Sequence, residues 1–130
     1  MKDNSYSNIF VCYGDADRDI LTRQIRMFRE RYHSFVIMVL TDEADIKWMD
    51  THSEVFDETL TLSGDISISD AVIAYCKEHH MSEKDTLLIA ETTEIEKLSE
   101  LGIEVKSPLA MAESYKKALE MLGNMVKPRI

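Results

Sequence analysis

The chain has 130 residues, 45% hydrophobic and 30% charged, a size and balance that fit one globular domain over residues 1–130 and exclude a core with a large cap or second domain. Its formal charge of −9 is spread along the chain, so the overall field repels phosphate backbones and anionic membranes, and neither nucleic acid nor a membrane is expected as a partner. The longest apolar run, Phe35 to Leu40, is far shorter than a bilayer span.

The opening Met1-Lys2-Asp3-Asn4-Ser5 is polar and lacks the apolar core of a secretory signal, so a cytoplasmic location is expected. Strand-like and helix-like segments then alternate, the pattern of βαβ units. Asn8 to Tyr13 reads as a strand broken at Gly14, followed by a helix with Leu21, Ile25, Phe28 and Tyr32 facing inward and Arg23, Arg26, Arg29 and Glu30 on a solvated face. Phe35 to Leu40 is a second strand, leading through Thr41-Asp42 to a short helix from about Ala44 to Asp50, anchored by Trp48 and Met49. A third strand, about Glu54 to Leu62, alternates polar with apolar residues and is expected to be half exposed.

A loop at Ser63-Gly64-Asp65 precedes a helix capped near Ser69, with Val72, Tyr75/Cys76 and His79 inward. His79 reads as a core or boundary histidine, and His80 diverges from it by about a hundred degrees, which makes the two a poor metal pair. Cys12 and Cys76 lie in apolar stretches without metal-type spacing and are expected to be reduced core thiols. Thr86 to Ala90 is a fourth strand, followed by a helix with Ile95, Leu98 and Leu101 on one face, Gly102 at its end and Thr93-x-x-Glu96 as a capping box. Ile103 to Lys106 is the fifth strand; Ser107-Pro108 opens a last helix that closes at Gly123 and buries Ala112, Tyr115, Leu119 and Leu122, with Lys116 and Lys117 beside them.

Strand polarity fixes an order. Strands one, two and four are continuous apolar runs, as strands covered on both faces must be, whereas strand three carries Asp57, Glu58, Thr59 and Thr61, and strand five is short with Glu104 and Lys106. Strands three and five therefore belong at the edges, which favours 3-2-1-4-5 over 2-1-3-4-5 and gives an α/β, three-layer, Rossmann-like domain with a five-stranded, mainly parallel sheet. Ligands of such sheets bind beyond the carboxyl ends of the strands where the order reverses, so Asp15, Asp17, Thr41, Asp42, Glu91, Thr92 and Thr93 become the candidate site residues. Carboxylates gathered there suit a hard cation, and a hydroxyl with helix-terminal amides suits a phosphate.

Val39-Leu40-Thr41-Asp42 and the stretch from Asp85 through Thr93 to Leu101-Gly102-Ile103 carry a family resemblance. In them the chain resembles the haloacid dehalogenase-like (HAD) superfamily, mostly magnesium-dependent phosphatases with an aspartate nucleophile on a sheet of this order. The resemblance implies Asp15 as nucleophile and Asp17 as acid/base, with Asp15, Asp17 and Glu91 holding magnesium. It implies Thr41, with Asp42 beside it, as the phosphoryl-binding group, and Lys106 as a stand-in for the family's lysine. The chain departs from the pattern at several places: no Gly-Thr follows the paired aspartates, Ser63 to Ser69 contains no lysine, Glu91 replaces an aspartate, and Ile95 stands where a second acid is usual. Asp15 or Asp17 also serves equally as the cap of the first helix.

The expected function is therefore that of a catalytically degenerate HAD-like domain without a cap. It would keep a residual magnesium/phosphate site for a small phosphorylated ligand and have a regulatory or protein-interaction role. An active magnesium-dependent phosphatase is one alternative. A receiver-like or pseudo-receiver signalling domain is another, supported by Lys106-Ser107-Pro108 and requiring Asp57 as phospho-acceptor. Ile9 to Asp19 also looks like the first box of Toll/interleukin-receptor domains, whose strand order conflicts with the polarity argument, and no G-x-G-x-x-G follows strand one to hold a dinucleotide.

Overall fold

The structure, a computed structural model, describes residues 6–62 and 65–126; the polar opening at 1–5 and the Ser63-Gly64 part of the loop lie outside the described residues. Apolar runs become strands β1 (Asn8–Val11), β2 (Phe35–Leu40) and β4 (Thr86–Ile89), flanked by β3 (Glu58–Thr61) and β5 (Glu104–Lys106). Helices α1 (Arg18–Tyr32), α2 (Glu43–Thr51), α3 (Ile68–Glu78), α4 (Ile95–Glu100) and α5 (Pro108–Val126) alternate with them. The sheet order is β3-β2-β1-β4-β5 and every ladder is parallel, as the polarity of the third and fifth strands requires.

Strand alternation divides the core into two layers. Ile9, Val11, Val36, Met38, Leu87 and Ile89 face the side covered by α1, α2 and α5. Phe10, Ile37, Val39 and Leu88 face α3 and α4 through Val72, Cys76 and Leu98. Both cysteines are free, Cys76 buried and Cys12 half-buried, and burial raises the pKa of each thiol. Among the described residues no helix is long and apolar enough to cross a membrane.

Several local expectations are corrected. The third strand starts only at Glu58, because the Asp57 carboxylate accepts the Val36 amide at 2.9 Å and pairs with Arg29 at 2.7 Å; Val55 and Phe56 are buried in the turn before it. The α3 cap is Ser67, whose hydroxyl accepts from the Asp70 amide, while Ser69 is buried in the first turn. His79 is exposed at the C-cap of α3, its ring stacked on Tyr75 at 4.1 Å. In α4, shorter than two turns, Leu98 is buried but Ile95 and Leu101 are exposed. The Thr93–Glu96 box does not form: Glu94 is the N-cap, and its own amide donates to the Thr92 hydroxyl at 3.1 Å.

The last helix departs furthest from the expectation. It continues through Gly123 to Val126, and of its expected stripe Ala112 is buried, Tyr115 half-buried, and Leu119 and Leu122 exposed at 38% and 56%. Gln24 Nε2 donates to the Met111 carbonyl at 3.1 Å, which sets the relative height of α1 and α5. The same number of residues leads from Gln24 to the end of α1 as from Met111 to Leu119. The remainder of α5 thus overhangs α1 by about 10 Å, at 1.5 Å per residue.

Candidate functional site

The chain leaves β1 through Cys12, whose amide donates to the Ile89 carbonyl at 2.8 Å, and turns at Gly14 in the left-handed region, φ +56°. Asp17 then caps α1, its carboxylate accepting the Ile20 amide at 3.2 Å. After β2, Asp42 caps α2 in the same way, accepting the Asp45 amide at 2.9 Å. The loops after β2, β1 and β4 lie side by side because these strands are neighbours, so Asp15, Asp17, Thr41, Asp42 and Glu91 do share one edge of the sheet.

The centre of this edge is Asp45, which the sequence reading passed over. It is 1% exposed, the one fully buried acid of the described residues. Its Oδ1 accepts from Arg18 Nη2 at 2.8 Å; its Oδ2 accepts from the Thr41 amide at 2.9 Å and the Thr41 hydroxyl at 2.7 Å. Burial pushes the Asp45 pKa up, but the Arg18 guanidinium and the two Thr41 donors outweigh it and hold the carboxyl below its ordinary value. Beneath it Tyr13, fully buried, shares a 2.6 Å hydrogen bond with Thr22, which also accepts from Trp48 Nε1 at 3.2 Å. Burial pushes the Tyr13 hydroxyl up to about 12. The edge is thus a network of ion pair, caps and hydroxyls packed on aromatic rings, in which Arg18 Nε is buried without a hydrogen-bond partner among the described residues.

Against this geometry the candidate residues separate. Asp15 is exposed on the turn after β1. Asp17 and Asp42 face amides of their own helices, and the Thr41 hydroxyl is committed to Asp45. Glu91 accepts from the Ser107 hydroxyl, which itself accepts the Ala110 amide at the start of α5. Lys106 ends β5, but alternation turns its side chain onto the face shared with Ile89; its ammonium lies 5.8 Å from the Phe28 ring centre and 6.0 Å from that of Tyr6. Among the described residues no group of three or more His, Cys, Asp or Glu side chains is gathered closely enough to hold a metal ion. A sequence signal for Asp45 did exist: Thr41-Asp42-x-x-Asp45 is a variant capping box in which the second acid reaches back to the residue before the cap.

No family model matches the chain, and no curated protein does. Among solved structures, an uncharacterized protein from Corynebacterium glutamicum ATCC 13032 Kitasato is similar, with a TM-score of 0.56 and 13% identity over 95% of this chain and 98% of that one. At that identity the likeness speaks for the fold alone.

Proposed function

We propose that this chain is a catalytically degenerate domain of HAD-like architecture, with a regulatory or protein-interaction role. The observation that carries the reading is the Arg18–Asp45–Thr41 network: the hydroxyl and the cation nearest the strand ends are bound to an internal carboxylate, not held open for a phosphoryl group. A carboxylate nucleophile attacking a phosphate monoester needs a cation to offset repulsion between the two anions. Here Arg18 is neutralised by Asp45, and Lys106 lies over aromatic rings on another face. The same points weigh against a residual phosphate site. A receiver role is less well supported, because Asp57 lies before β3, beside the start of β2, and is paired with Arg29.

Hydrolysis of p-nitrophenyl phosphate, measured with and without magnesium for the native chain and Asp15→Asn, tests this. The expected result is no turnover above buffer for either protein. Magnesium-dependent hydrolysis that Asp15→Asn abolishes would restore the active-phosphatase reading.

A further inference from the structure

We propose that the groove between α1 and α5 is a docking site for an acidic amphipathic helix of a partner protein. This deepens the interaction role above and rests on that part of it. The groove, about 470 Å³ along Met27, Phe28 and Tyr115, adjoins a second hollow of about 410 Å³ that shares Gln24 and Phe28 and ends at Lys106. Its apolar strip is open to solvent, with Met27 56% exposed, and on α5 Leu119 and Leu122, about one and two turns beyond Tyr115, are exposed as well. An apolar strip of this length accepts two to three turns of helix through residues spaced i, i+3 and i+7.

Charge selects the kind of helix. In a chain of −9, five of the six arginines lie in α1, beside Asp19 and Glu30. Arg18, Arg26 and Arg29 are paired internally with Asp45, Glu54 and Asp57. Among the described residues Arg23, Arg31 and Lys106 are in no ion pair. Arg31 and Lys106 line the groove at its two ends, Arg23 lies one turn from Met27 on α1, and among the described residues Glu30 is the single carboxylate of the lining. Gln24 Oε1, buried between the hollows and without a hydrogen-bond partner among the described residues, adds an unfilled acceptor. A second copy of this chain suits the groove poorly, since a two-fold contact here would bring Arg31 and Lys106 of one copy against the same cations of the other.

The test uses two synthetic amphipathic peptides of about four turns. They share leucines at i, i+3, i+4 and i+7; one has glutamates at the remaining positions and the other lysines. Binding is followed by fluorescence anisotropy and by amide and methyl shifts of the labelled protein. The acidic peptide is expected to bind, to shift Met27, Phe28 and Tyr115, and to weaken with added salt. The lysine peptide, and the Arg23→Glu/Arg31→Glu protein with the acidic peptide, are each expected to bind at least roughly tenfold more weakly. Equal binding of the two peptides, or none, would overturn the proposal, as would a homodimer that Met27→Glu converts to monomer. Shifts confined to the strand-end loops would remove this groove while leaving an interaction role standing.

Discussion

Removing the Asp45 carboxylate probes the network most sharply. In Asp45→Ala, Arg18 loses its 2.8 Å partner and both Thr41 donors lose their acceptor. Breaking a buried ion pair from one side costs about 3–5 kcal/mol. Here the Arg18 side chain keeps 26% exposure and water can take up part of its charge, which lowers the expectation to about 2–3 kcal/mol. For a domain of this size that is a fall in Tm of roughly 10 °C. Asp45→Asn retains the shape and one acceptor and is expected to cost about 1–2 kcal/mol. Urea unfolding followed by the fluorescence of Trp48, the single tryptophan, reads these changes from a position packed against Tyr13. Adding Arg18→Met completes a double-mutant cycle, in which the removed cation should recover at least about 1 kcal/mol of the Asp45→Ala loss. An Asp45→Ala protein within about 0.5 kcal/mol of the native one, or strictly additive single costs, would refute the assignment of the network as the structural centre of this edge.

Because the folded Asp45 pKa is depressed, its contribution is present above the ordinary carboxylate pKa and is lost as pH falls through the lower folded value. The urea midpoint should therefore drop on acidification through that window, and drop less for Asp45→Asn. Gly102→Ala should cost roughly 2 kcal/mol or more by thermal unfolding, since φ is +95° and an added Cβ would stand 3.3 Å from Lys84 Cα. Gly14→Ala, at φ +56° with open space around it, should cost only about 1 kcal/mol, so equal losses at the two glycines would contradict the packing described around Gly102. Both thiols should react slowly with a disulfide reagent near neutral pH, Cys76 only on unfolding; rapid labelling of Cys76 in the native state would contradict its burial.

The sheet was legible in the sequence because burial acts on strand composition directly. Glu58, Thr59 and Thr61 cannot lie in a strand covered on both faces, which moved β3 to one edge, and the short, charged β5 took the other, which together set the order. The caps were partly legible for a similar local reason, Asp17 standing just ahead of a helical repeat. The Arg18–Asp45 pair was not, because its members are 27 residues apart and meet only once β1 and β2 are adjacent. Lys106 illustrates the role of register: its position at a strand end was readable, but the face its side chain takes depends on alternation and on its pairing with Ile89. Leu119 and Leu122 have the spacing of a buried stripe, yet their exposure follows from the relative lengths of α1 and α5, a relation between two helices that neither segment encodes alone.

The central proposal is that Asp17, Asp42, Asp45 and Glu91 serve the fold, not a cation-assisted reaction, and a magnesium titration of the isotope-labelled native chain tests it most directly. With magnesium raised through the millimolar range, the amides of Asp15, Asp17, Thr41 and Glu91 should show only the small, non-saturating drift of a salt effect. Saturable shifts at those four residues together, lost in Asp15→Asn, would contradict it.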